Sequence, residues 1–372
     1  MLLSLTNAPR DYAWGSTSLL ADLEGRTPTG APEAEVWFGD HSGDPADVAD
    51  GTTLDAVTGG TLPYLLKLLA AGAPLSIQVH PTIAQARDGW AREAGLAADD
   101  PNRNYRDDNH KPELIVALSD RFEALSGLRP VADTLRLFEA LGDAGTPVRD
   151  RLTAPGTDAE RLHGVIGWLL SGDAQQEVDA VIAAVATASS AEFDAELTAI
   201  RAIADRNPGD PGVVVALLMN FIVLARGEGV FLRAGLLHAY VSGLGVEIMA
   251  ASDNVLRGGL TPKHIDVPEL LSILDTEPGR VPVLRPAASG ALTSYPVDVP
   301  DFALTRVALT GEPVAIPVAG PTIVLVTGGE VAVSGTSGAQ TVPVGGAVFA
   351  DADETPLSLA GSGEAFIARP GR

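Results

Sequence analysis

Apolar positions change their spacing several times along the chain. Over residues 1–80, short apolar runs alternate with Gly, Pro and Asp punctuation, as in EAEVWFGD and then LPYLLKLLAAGAPLSIQVHP, which predicts short strands and turns. Residues 82–99 are Ala-rich and predict a short helix. PNRNYRDDNHKPE reads as a polar loop, followed by a strand over LIVAL. From about Pro130 to Arg206 the apolar residues fall at three- and four-residue spacing among helix formers, and NPGDPG ends that block. VVVALLMNFIVLA and the segment from Gly227 to Val267 follow. From about Val281 the chain returns to short Val/Ile/Leu/Thr runs between turn signals such as VTGGE and VSGTSG. The predicted order is β, an inserted helical block, β, then a second β unit.

Composition narrows what such a chain can do. Its 372 residues suffice for two or three domains, and 46% hydrophobic residues exclude a disordered polymer. A net charge of −23 argues against nucleic acid and anionic membrane surfaces. A small anionic ligand is still compatible, provided a local basic cluster overcomes the global field. The absence of cysteine excludes disulfides, thiolate nucleophiles and thiolate-bound metals, so any metal would need His, Asp, Glu or amide oxygen. The N-terminus lacks a basic n-region with a long apolar run. The longest apolar stretch, Gly212 to Ala225, is shorter than the ~20 residues that span a bilayer. A soluble, cytoplasmic chain without membrane partners is expected. Only three of the 25 basic residues are lysines, Lys67, Lys111 and Lys263. Codon bias could cause this, yet a compact ammonium and a guanidinium are different chemical tools.

Two histidines sit in informative settings. Gln78 and His80 are alternate residues of an apolar run, so on a strand they project from one face. A polar pair on a strand is more often a hydrogen-bonded surface pair than a metal site. With Gly72 upstream it resembles the first motif of cupins, glutamine standing in the first histidine's place. His238 follows Gly227 and Gly235 in a spacing that resembles the second cupin motif, with Arg233 where proline is usual. The cupin carboxylate is missing at Ala84 and Gln85. Glu113 in NHKPE is the natural replacement, although from its loop alone it reads as a surface turn glutamate.

Taken together, YAWGS, LPYLLKLL, PLSIQVHP, DDNHKPELIVAL, LHAY and VEIMAASDNVLRGGLTPKHIDV resemble, in order over residues 12–267, the type I phosphomannose isomerase family. The resemblance implies one Zn2+ per chain held by Gln78, His80, Glu113 and His238. It also implies an active-site arginine at Arg257, an acidic proton carrier at Glu247 and a lysine at Lys111 whose pKa a neighbouring cation should lower. Ser76, Lys67 and Lys263 match the phosphate-binding end. The implied activity is aldose–ketose isomerisation between mannose 6-phosphate and fructose 6-phosphate, by proton transfer through an enediol(ate). Gly258 stands where the family commonly has alanine. Of the other histidines, His110 is expected to order the loop around Glu113, and His264 to lie near the phosphate or be exposed. His41 and His163 read as structural or surface residues. Asn254 reads as a turn former or supporting donor.

The expected fold is mainly β with an α-helical insert: two cupin-like jelly-roll β-barrels plus a helical domain. Residues 1–129 and 225–280 would form the catalytic β unit, 130–224 the helical insert, and 281–372 a jelly roll without metal. A monomer acting on a small sugar phosphate is expected. Two other readings stay open at this point. One is a cupin oxygenase or epimerase with iron or manganese. The other is a non-catalytic double barrel, which would not need Glu247, Lys111 and Arg257 together near the metal.

Overall fold

The computed structural model describes residues 1–371. The chain is mainly β, built on a nine-stranded and a ten-stranded sheet, with ten α-helices among the described residues. The strand pairings that build both sheets are antiparallel. The helix predicted over 82–99 forms at Ile83–Arg92. Its Thr82 N-cap exchanges hydrogen bonds with Gln85, satisfying donors that a bare helix end would leave open. The predicted strand after NHKPE forms at Glu113–Ala117.

One long strand organises the ten-stranded sheet. His238–Ala250 runs 13 residues and pairs with Tyr64–Ala71, Glu113–Ala117, Phe122–Leu128 and Gln78–Val79. Every polar side chain it carries inward therefore meets residues from several distant parts of the sequence.

The helical block packs behind these strands. Its helices Val131–Glu139, Thr146–Leu152, Asp158–Leu170, Gln175–Thr187, Asp194–Arg206 and Gly212–Leu217 turn apolar stripes inward, such as Leu162, Val165, Ile166 and Leu169. The same core holds Ile77, Val79, Leu237 and Ala239. The alternation of a strand explains the consequence. Ile77 and Val79 bury against the helices, and Ser76, Gln78 and His80 are left to face the opposite way.

Two expected unit boundaries differ from the observed pairing. Leu2–Thr6 pairs with Ala347–Ala350 and so belongs to the sheet of the C-terminal stretch. Met219–Leu224, assigned to the helical insert from sequence, pairs with Phe122–Leu128 and extends the other sheet. The apolar run over 213–225 is helical only as far as Leu217, because the second half finds a strand edge to complete. No long-range pairing of this kind is written in local spacing.

Candidate active site and metal centre

Register brings the candidate residues together. His238 lies opposite Gln78, and Gln78 lies opposite Arg257 on its other side. Met249 lies opposite Glu113, and Glu247 lies opposite Lys67, which in turn faces Trp37. These side chains line a cleft of about 340 Å3. Gln78, Glu113, His238, Lys111, Glu247, Arg257, Ser76, Lys67 and Lys263 all reach it, and fully buried His80 stands behind its wall.

His80, Glu113 and His238 form the only cluster among the described residues with three metal-ligating side chains converging. His80 Nε2 is 3.3 Å from Glu113 Oε1, and His238 Nε2 is 3.4 Å from Glu113 Oε2. His80 Nδ1 is 2.7 Å from the carbonyl oxygen of Asn254, and His238 Nδ1 is 3.0 Å from that of Leu236. A carbonyl can only accept, so each ring turns an Nδ1–H toward it and aims Nε2 inward. His80 Nε2 is buried without a hydrogen-bond partner. Burial pushes the His80 pKa down to about 4, against the pull of Glu113, so the ring is neutral at neutral pH. Burial raises Glu113 too, but Lys111, His80 and His238 outweigh it and hold the carboxyl well below the usual range. Two imidazoles, one carboxylate and the amide of Gln78 are donors that suit Zn2+. The backbone carbonyls behind both rings are the supporting shell such a site requires. The donor set fits the metal.

Arg233, in the place of the usual proline, does not spoil the aim of His238. Arg233 turns outward to Asp275, and Gly235, at φ +78°, makes the turn. The loop after Arg257 depends on Gly259, at φ +122°. A Cβ there would lie 2.3 Å from Gly212 Cα.

Beside this centre lies a buried chain of polar groups. Trp37 Nε1 donates to Glu35 (2.8 Å), Lys67 Nζ sits 3.6 Å from Glu35 and 3.3 Å from Glu247, and the Tyr240 hydroxyl donates to Glu247 (2.7 Å). Burial alone would lower the Lys67 pKa, but Glu35 and Glu247 more than reverse it. Glu247 is raised, first by burial and then by Glu113 and Glu35, with Lys67 opposing. Lys111 Nζ lies 3.2 Å from Glu113. Gln78 Nε2 donates to Ser76 Oγ (3.2 Å). Lys263 is exposed and Arg257 half-buried at the mouth. Lys67, expected at the phosphate-binding end, is thus held in ion pairs. It is enclosed by two carboxylates that lie far away in sequence.

Several other residues line the rim and the loops around the site. His41 Nε2 pairs with Asp253 (3.1 Å) at the rim, and His110 Nε2 pairs with Asp301 (2.8 Å), tying the NHKPE loop to the C-terminal stretch. His264 lines a second chamber beside the cleft. Asn254 supports the site as expected, since its side chain also ties Arg106 and Asp107 into the loop. Glu35, Tyr240, Asp253 and Arg106 were missed. Each lies outside a metal-like spacing, and only register or loop packing brings it to the site.

Residues 2–131 match the profile of the phosphomannose isomerase type I catalytic domain. Mannose-6-phosphate isomerase of Salmonella typhimurium is 38% identical over 325 residues, covering 81% of this chain and 82% of that protein. The chain belongs to the mannose-6-phosphate isomerase family. The human member is 30% identical over 350 residues, covering 81% of each. A solved mannose 6-phosphate isomerase with zinc bound superimposes with a TM-score of 0.90 at 34% identity, covering 100% of both chains. Family membership removes the oxygenase reading and the plain storage barrel as the leading descriptions.

Proposed function

We propose that the chain is a zinc-dependent aldose–ketose isomerase interconverting mannose 6-phosphate and fructose 6-phosphate. The observation that carries this is the buried pair of histidines with inward Nε2 atoms flanking Glu113, in a cleft that also presents Glu247, Lys111 and Arg257. Gln78, His80, Glu113 and His238 would hold one zinc per chain. Zinc held there would supply Lewis-acid positive charge to the reacting oxygens of the sugar.

The remaining work falls to side chains. Isomerisation needs a base for a weakly acidic C–H and a second group for the O–H proton. Glu247 takes the proton from C2, whose bonding electrons form the C1–C2 double bond as the carbonyl pair moves onto O1. The protonated Glu247 then returns that proton to C1. Lys111 moves the hydroxyl proton from O2 to O1, a task arginine could not perform because it stays protonated. Arg257 faces the enediolate charge. The raised carboxyl of Glu247, held by Lys67 and Tyr240, is a better proton acceptor than an ordinary surface glutamate. Ser76 and Lys263 are proposed for the phosphate end.

We further infer that each sheet closes as a cupin-like jelly roll, with the helices of residues 131–217 walling the cleft from behind and 281–372 lacking a metal. No helix among the described residues is long and apolar enough to cross a membrane. The reading carries with it a cytoplasmic monomer, which fractionation and light scattering test. A coupled assay on mannose 6-phosphate, run beside metal analysis, tests the activity. Zinc-loaded protein without turnover would favour a binding role instead.

A further inference from the structure

We propose that Arg106 is a further anion ligand, which meets the phosphoryl end of the substrate in a side chamber that it forms with Arg257 and Lys263. The proposal rests on the isomerase reading for the identity of the anion, and on the chamber itself for the existence of the site.

The chamber has a volume of about 440 Å3 and shares Asp253, Val255, Arg257 and Lys263 with the main cleft. One molecule can therefore occupy both spaces, with Arg257 and Lys263 on the wall between them. The charge of the chamber is the reverse of the chain's. Several arginines elsewhere take carboxylates, as in Arg26 with Glu33, Arg233 with Asp275, and Arg226 and Arg306 with Glu364. Among the described residues, no ion pair engages Arg106, Arg257 or Lys263. Arg106 spends one nitrogen on the carbonyl of Ala98 and keeps the rest of its guanidinium free. Asp253, the one carboxylate at the edge, is already paired with His41. Burial and the charge of Arg106 both lower the pKa of Arg257. Lys263 is lowered by burial, then by Arg257 and Arg106, so like charges crowd here at a cost. An entering phosphate relieves that repulsion, and a guanidinium fork matches its oxygens. Lys67 cannot serve in this way, because Glu35 and Glu247 already neutralise it.

Arg106 is also coupled to the metal centre. Its backbone N–H donates to Asn254 Oδ1 (2.7 Å), and the backbone carbonyl of the same Asn254 faces His80 Nδ1 (2.7 Å). One residue thus fixes both the ring that would hold metal and the loop that carries the cation.

The test uses the zinc-loaded full chain with R106Q and R106K. In R106Q, KM for mannose 6-phosphate rises by about tenfold with a smaller fall in kcat, and the inhibition constant for inorganic phosphate rises in parallel. R106K recovers most of both, and zinc content and melting temperature stay at the wild-type values. Unchanged KM and phosphate inhibition in R106Q overturn the proposal. So does an equal loss in R106K with a lowered melting temperature, since that marks a loop held by the Ala98 contact. Calorimetric titration of inorganic phosphate into wild type and R106Q separates the two readings. Phosphate binding lost in R106Q, in a chain that does not isomerise, sinks only the isomerase assignment. Equal phosphate binding in both sinks the chamber.

Discussion

The Lys67 ammonium lies 3.3 Å from the Glu247 carboxylate, buried in the wall of the cleft, with Glu35 at 3.6 Å completing a carboxylate–ammonium–carboxylate row. The row ties a catalytic candidate to a strand at the far end of the sheet. It also makes Glu247 adjustable, because Lys67 is the main charge holding its pKa down.

Removing that charge should act on stability and pH together. Lys67→Met leaves two buried carboxylates without a counter-ion, which costs about 3–5 kcal/mol of stability by denaturant unfolding. It also raises the Glu247 pKa further, so the acid limb of kcat moves to higher pH. Zinc content should stay near that of the wild type. A pH profile that does not move would show that Glu247 does not set the limb.

Glu247→Gln keeps the shape and the Tyr240 contact but removes the base. Turnover should fall by about 100- to 10,000-fold while bound zinc persists. Steady-state kinetics with metal analysis decides this, and near-normal turnover removes Glu247 from the mechanism.

The buried His80 gives a stability prediction for the metal-free protein. Its native pKa, about 4, lies below the unfolded value of 6.5. Between those values the unfolded chain binds a proton that the native chain refuses, so stability is lost as pH falls through that window. The melting temperature of chelated protein should drop from pH 6.5 toward 4, and the decline between 6.5 and 4.5 should be shallower in His80→Asn. Glu113 does not confuse that upper part, because its own losses begin below the ordinary carboxylate value.

The three lysines should respond differently to arginine. Lys67→Arg forces a larger, planar cation into the row between Glu35 and Glu247, and Lys111→Arg removes a group able to give up a proton. Each should lower kcat by about 100-fold or more. Lys263 is exposed at the mouth, where positive charge suffices, so Lys263→Arg should keep KM within about threefold. Kinetics on the three variants checks the ranking.

How much of this was legible in the sequence depends on the range of the signal. The helical block, the strand after NHKPE and the facing pair Gln78 and His80 follow from local period. The ligand set and Arg257 came from ordered motifs. Glu35, Tyr240 and Asp253 did not, since each gains meaning only when a neighbouring strand or loop arrives beside it. Lys67 was recognised without its partners for the same reason: its two carboxylates come from strands about 30 residues before it and 180 after it. The first strand's membership in the C-terminal sheet is likewise a pairing across almost the whole chain.

Metal content measured together with turnover tests the proposed activity most directly. Protein as purified should carry about one zinc per chain and interconvert mannose 6-phosphate and fructose 6-phosphate. Chelation should abolish turnover, and added zinc should restore it. Full turnover in metal-free protein, or zinc-loaded protein that leaves mannose 6-phosphate untouched, would contradict it.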